Sequence, residues 1–186
     1  MRMFALTDFY TGNIPIVNYF VYPGGVMTFD DPRLTAMGLV AEVHAGLMEK
    51  FSPALASAGL SEVEFETLMR LARTPRNRLR MSDLAAQTYL STSGVTRVVD
   101  RLERRDLVRR QGCDTDRRTS YAVLTETGGT LLETLLPQHI EDIEHWFTGL
   151  LTPEQLDALL EALRLIRDVV RPCATAGATE DVTSAG

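Results

Sequence analysis

Lysine is almost missing from this chain. Lys50 is the only one, so nearly all of the positive charge is arginine. Cysteine is scarce as well. Cys113 and Cys173 give neither a disulfide framework nor metal-ligand spacing, which fits a reduced, cytoplasmic protein. No apolar run approaches the roughly 20 residues that span a bilayer, so no membrane association is expected. His139 and His145 lie six positions apart, and one helix face does not present both to a metal. Glu141 and His145, four apart, read as an exposed contact. There is no nucleophile elbow, no phosphate-cradling loop and no zinc-hydrolase motif. No catalytic reaction can therefore be attached to named residues. The expectation is a protein that is not an enzyme and holds neither metal nor cofactor.

The net charge of −6 over 186 residues argues at first against a nucleic-acid partner. Its distribution reverses that inference. Residues 70–118 hold thirteen Arg against six acids, a local balance of +7, while the rest of the chain stands at −13. Global charge governs solubility, whereas a local basic zone governs attraction to phosphate.

The same zone carries a recognisable order of elements. Ser82 is placed to cap a short helix over Asp83–Thr88, with Leu84 and Ala85 facing inward. Leu90-Ser91-Thr92 breaks that helix, and Ser91 or Thr92 can cap a second one over Ser93–Arg105. Val95, Val98 or Val99, and Leu102 recur there at helical spacing. The opposite face shows Thr92, Ser93, Thr96, Arg97 and Arg101, whose hydroxyls and guanidiniums suit base edges and phosphates. Gly94 allows close packing or a close approach to DNA. Two strand candidates follow, Leu107–Gln111 and Thr119–Leu124, around a polar loop containing Asp116, Arg117 and Arg118. Helix, turn, helix and hairpin in this order make a winged helix-turn-helix.

Residues 116–125, Asp-Arg-Arg-Thr-Ser-Tyr-Ala-Val-Leu-Thr, fit a wing signature of D-x-R, five residues, then L-T. Together with Val95-Thr96-Arg97-Val98-Val99-Asp100-Arg101-Leu102, this stretch resembles the MarR (multiple antibiotic resistance regulator) family. By element order the resemblance runs from about residue 34 to 171. It implies that Arg118 enters the minor groove from the wing tip, with Asp116 holding its guanidinium and Arg117 nearer a phosphate. The alternative is an Asp116–Arg118 pair that only stiffens the wing. Arg97 and Arg101 are expected to divide between a base edge and a phosphate. Arg104, Arg105, Arg109 and Arg110 are expected to form a general electrostatic margin. Oxidation-sensing relatives carry a cysteine near the first helix, where this chain has none, so Cys113 reads as incidental.

The flanks complete the plan. Residues 34–60 read as a first dimerisation helix, with Met37, Val40, His44, Leu47, Phe51 and Leu55 on one seam. Residues 61–125 form the DNA-binding lobe, opened by the capping box Ser61-Glu62-Val63-Glu64. Residues 126–171 read as two further dimerisation helices, capped by Thr125 and by Thr152 with Pro153. Their apolar stripes exceed what one small lobe can bury, and in the resembled family such helices interleave across a two-fold axis. Residues 172–186, small and polar, read as a disordered tail. Residues 1–33 hold seven of the twelve Phe and Tyr residues. They read either as an arm packed on the domain or on a partner subunit, or as sequence upstream of a true start at Met27. Asp8, Asn13 and Pro15 interrupt any signal-peptide core.

The fold expected is mainly α with a small β-hairpin wing: a winged helix-turn-helix flanked by N- and C-terminal dimerisation helices. The function expected is a DNA-binding transcriptional regulator. It would be a ligand-responsive repressor, dimeric on a near-palindromic double-stranded operator. The resemblance also implies a pocket for a small aromatic acid or phenol, which His44, Met48 and Phe65 could line; each could equally be a core residue. The alternative function is a winged-helix protein-interaction module without specific DNA binding.

Overall fold

The computed structural model describes residues 31–113 and 119–177. They fall into two compact units that divide after Val43. In the first unit the described residues after Asp31 belong to the opening helix, α1 (Pro32–Ser57). Leu34, Met37, Leu39, Val40 and Val43 are exposed on it.

The second unit begins at His44 and holds the remaining elements. Helix α2 (Glu62–Ala72) starts at the expected capping box: Ser61 Oγ accepts from the Glu64 amide, and the Glu64 carboxylate accepts from the Ser61 amide. Next come a 3-10 turn (Pro75–Asn77), strand β1 (Arg78–Arg80), α3 (Met81–Thr88) and α4 (Thr92–Arg104). Strands β2 (Val108–Gly112) and β3 (Ser120–Leu124) precede α5 (Glu126–Trp146) and α6 (Pro153–Val170).

The expected hairpin is present as β2 and β3, and β1 adds a third strand to make an antiparallel sheet in the order β1-β3-β2. Strand β1 pairs Leu79 with Ala122, and β2 pairs Arg110 with the same Ala122. As the central strand, β3 buries both Ala122 and Val123, so its side chains do not alternate cleanly between core and solvent. Ser82 is not the cap of α3. That helix begins at Met81 after extended Arg80, with no side-chain cap, and Ser82 sits inside its first turn.

The core lies where α2, α3 and α4 meet the sheet. Leu68, Leu71, Leu84, Val95, Val99 and Leu102 are fully buried there, joined by Leu79 and Val108 from the strands. This accounts for the apolar spacing of α4: Val95, Val98, Val99 and Leu102 all point inward. Gly128, in the first turn of α5, shows how closely the next layer packs. A Cβ there would lie 2.2 Å from the Leu107 carbonyl oxygen and 2.8 Å from Leu124 Cδ1. The Gly128 amide donates to the Thr125 hydroxyl, the expected cap.

The expectation of a disordered tail is corrected for its first six residues. Pro172–Thr175 form a 3-10 turn, and Ala174 is buried. Hydrogen bonds from Arg70 and Gln87 to the carbonyls of Ala174 and Ala176 hold the segment in place.

Candidate nucleic-acid interface

Helix α4 carries the candidate reading face. Ser91 is its N-cap, its hydroxyl accepting from the Gly94 amide at 3.1 Å. A Cβ on Gly94 would press on Leu90 and Ser91, each at 3.3 Å, so the glycine serves the packing of the turn. Thr92, Ser93, Thr96, Arg97 and Arg101 are all exposed and stand on one side of the helix, opposite the buried valines. The Thr96 hydroxyl donates back to the Thr92 carbonyl at 2.8 Å, leaving its lone pairs outward.

The two arginines of this face differ. Among the described residues the Arg97 side chain makes no hydrogen bond or ion pair. Arg101 Nε donates to Glu64 Oε1 at 2.7 Å, against a carboxylate only 9% exposed. Arg101 thus ties α4 to the first turn of α2, while its side chain, 43% exposed, still stands on the outer face of the helix. Burial pushes the Glu64 carboxyl up, but hydrogen bonds from the Ser61 amide and the Arg101 guanidinium outweigh it and leave it below its ordinary value.

The expected electrostatic margin divides in the same way. Arg110 reaches Asp100 and Glu103 on α4, each at 2.6 Å, and its amide donates to Glu103 Oε1. It braces the wing strand against the recognition helix. Arg105 donates to the carbonyls of Ala58 and Gly59 at the end of α1. Arg104 Nε bonds the Asp100 carbonyl, and Arg109 is exposed. Sequence counting treats these arginines alike because the partners of Arg105 and Arg110 lie on other elements.

Asp116, Arg117 and Arg118 lie outside the described residues. On either side of them the hairpin is closed by the Cys113 amide, which donates to the Thr119 carbonyl at 3.1 Å. Arg80 and Arg78 approach Tyr121 on β3: Arg80 Nε lies 3.4 Å from its hydroxyl, and the Arg78 guanidinium stands over its ring.

A separate cavity of about 450 Å3 brings His44, Met48 and Phe65 together, with Phe51, Leu55, Glu62, Val63, Glu66 and His139. His44 is exposed in the single chain and lines this cavity. The more enclosed imidazole is that of His139. It meets Phe51 and Phe65 edge-on at centroid distances of 5.2 and 4.8 Å. Its Nδ1 is buried and has no partner among the described residues. Burial pushes its pKa down against the opposing pull of Asp142, which favours the neutral ring. A sequence signal for this residue exists: His139 falls three and four positions after Leu136 and Leu135, on the apolar stripe of α5.

Among the described residues, no group of three His, Cys, Asp or Glu side chains could hold a metal ion. No helix there is long and apolar enough to cross a membrane.

A buried three-helix core, an outward polar helix and a strand-braced wing define a winged-helix transcriptional regulator. Comparison with known proteins agrees. A family model described as MarR family matches residues 58–119. The HTH-type transcriptional regulator MhqR of Bacillus subtilis (strain 168) is 31% identical over 108 residues, 58% of this chain and 72% of that protein. The transcriptional repressor MprA of Escherichia coli (strain K12) is 28% identical over 117 residues, 63% of this chain; the match spans 66% of the repressor's length. Among solved structures, AbsC, a MarR family regulator from Streptomyces coelicolor, aligns with a TM-score of 0.73 at 34% identity, covering 79% of this chain and 99% of AbsC. A second Streptomyces coelicolor MarR family regulator, solved in complex with DNA, gives 0.70 at 30% identity over 79% of this chain and 95% of its own. The chain belongs to the MarR family. That makes it a transcriptional regulator and not an enzyme.

Proposed function

We propose that this regulator acts as a dimeric repressor that reads a near-palindromic operator and releases it when a small aromatic effector fills the cavity. The observation that carries the DNA reading is the α4 face, where Arg97 stands exposed beside Thr92, Ser93 and Thr96. The DNA-bound relative at 30% identity supports the same use of the fold. Arg118, Arg117 and Asp116 on the wing are proposed to add minor-groove and phosphate contacts. Arg97 and Arg101 are proposed to divide between a base edge and a phosphate, Arg101 being also tied to Glu64 on α2.

The dimer reading rests on unpartnered apolar surface. Helix α6 has no buried residue, and Leu163, Ile166, Val169 and Val170 are exposed on it. Two subunits would set two recognition helices about one DNA turn apart. The effector reading rests on the cavity. Its aromatic walls, Phe51 and Phe65, and the buried, unpartnered Nδ1 of His139 suit a flat ring with a hydrogen-bonding substituent.

Selection of binding sites from random DNA by the full chain tests the first claim, with mass measured in solution. Enrichment of an inverted repeat by a two-chain species is expected. No enrichment would instead favour the protein-interaction reading. Affinity for the selected site should fall with salt, since bound phosphates release counterions. Titration with a panel of phenols and aromatic acids should release the DNA, and Phe65→Ala should blunt that release. Equal release in the variant would remove the effector from this cavity.

A further inference from the structure

The end of α6 is bolted to the helix-turn-helix. Helix α6 stops at Arg171, whose backbone (φ −142, ψ 64) turns the chain into the 3-10 segment Pro172–Thr175. Arg171 Nη2 donates to two carbonyls in the last turn of α3, Ala86 at 3.2 Å and Gln87 at 3.0 Å. Such carbonyls have no donor within their own helix, and a cation there also complements the helix dipole. The same guanidinium lies over the Tyr89 ring, 4.0 Å from its centroid. Tyr89 is the C-cap of α3, in the left-handed region (φ 62, ψ 23), two residues before the Ser91 cap of α4. One side chain therefore grips both the end of α3 and the first residue of the turn that aims α4.

Further contacts continue the grip. Arg70 on α2 donates to the Ala174 carbonyl at 3.1 Å, and the buried Gln87 donates to the Ala176 carbonyl at 2.5 Å. Gly177 comes so close that a Cβ would lie 2.7 Å from Asp83 Oδ2 and 3.1 Å from Leu79. Residues 171–177 thus touch α2, β1, α3 and the turn. None of these contacts uses the exposed face of α4.

We propose that residues Arg171–Gly177 form a strap that couples the position of α6 to the pose of the recognition helix, with Arg171 as its positioning residue. Arg171 does not meet DNA; it sets the turn Tyr89–Ser91 from behind. Any shift of α6 pulls first on the C-terminus of α3. The inference rests on the DNA-binding reading above.

The test uses the full chain, its selected DNA site and random DNA of equal length. Arg171→Ala is expected to reduce the preference for the selected site by about 2- to 30-fold, the range for coupling residues outside a binding surface. Affinity for random DNA and the salt dependence should stay as in the wild type. In the free protein, amide exchange over residues 86–94 should rise. Arg171→Lys keeps the charge but loses the planar two-carbonyl grip, and is expected to follow the Ala variant. Truncation after Arg171 removes the carbonyls that Arg70 and Gln87 hold, and gives a second route to the same loss should Arg171→Ala fail to fold.

Unchanged preference in folded Arg171→Ala would overturn the strap. So would a salt slope reduced by about one, which would place Arg171 on a phosphate. Full recovery in Arg171→Lys would overturn it too, by assigning the effect to charge alone. A wild-type chain with no preference over random DNA would sink the DNA-binding reading itself.

Discussion

Arg97 and Arg101 sit one helical turn apart on α4, and of the two only Arg101 is paired among the described residues. Arg101 compensates a Glu64 carboxylate that is nearly buried, so its loss leaves that charge without a cation. Arg101→Ala is expected to lower unfolding stability by about 1 kcal/mol, since the arginine itself is part-exposed. Denaturant titration checks this; a midpoint equal to that of the wild type would contradict the tie. The sequence alone made the two arginines equivalent. What separates them is a contact 37 residues away in the chain, which no helical spacing encodes.

Two titratable groups also set an acid limit. Both have folded-state pKa values below their ordinary ones, 6.5 for His139 and 4.5 for Glu64. For each, the stabilising contribution is present above the unfolded value and is lost as pH falls through the folded one. Stability should therefore fall first below about pH 6.5, as His139 is forced to charge, and again below about pH 4.5 through Glu64. Melting temperatures recorded between pH 2 and 8 would show both steps. His139→Phe should flatten the upper one alone. A variant that keeps the upper step would assign it elsewhere.

At the scale of elements, most local signals are well placed, Ser82 excepted, and non-local ones are not. The capping boxes at Ser61 and Thr152 and the caps at Ser91 and Thr125 stand where the sequence puts them. Their chemistry lies within three residues, so it is legible in one dimension. Strand β1 was not legible. It is three residues long, carries arginine at both ends, and exists because Leu79 pairs with Ala122 more than forty positions later. The docked segment 172–177 was missed for a similar reason: its small residues fit only because α3 offers Gln87 and Asp83 beside them. Gly128 carries the sharpest prediction at this scale. Gly128→Ala must move α5 away from Leu107, and overpacking of this kind costs about 1–3 kcal/mol. Thermal unfolding should show the loss. An unchanged melting temperature would mean that α5 does not press on the sheet as described.

For the whole molecule, the split of charge is the organising fact. An acidic protein keeps a basic zone at residues 70–118, and internal pairing then spends part of that zone on scaffolding. Arg101, Arg105 and Arg110 hold elements together, while Arg97 remains on the surface of α4. The fold class was legible because the arginines, hydroxyls and hairpin cluster within about forty residues. Which arginines are left for DNA became readable only with the acids of α2 and α4 in place. The central claim, that the outer face of α4 reads DNA, is tested most directly by measuring how Arg97→Ala changes affinity for the selected site across several salt concentrations. A loss of about 5- to 150-fold on that site is expected, the equivalent of about 1–3 kcal/mol for a specific contact, with the fold intact. A folded Arg97→Ala protein that binds the site as tightly as the wild type, with the same salt dependence, would contradict it.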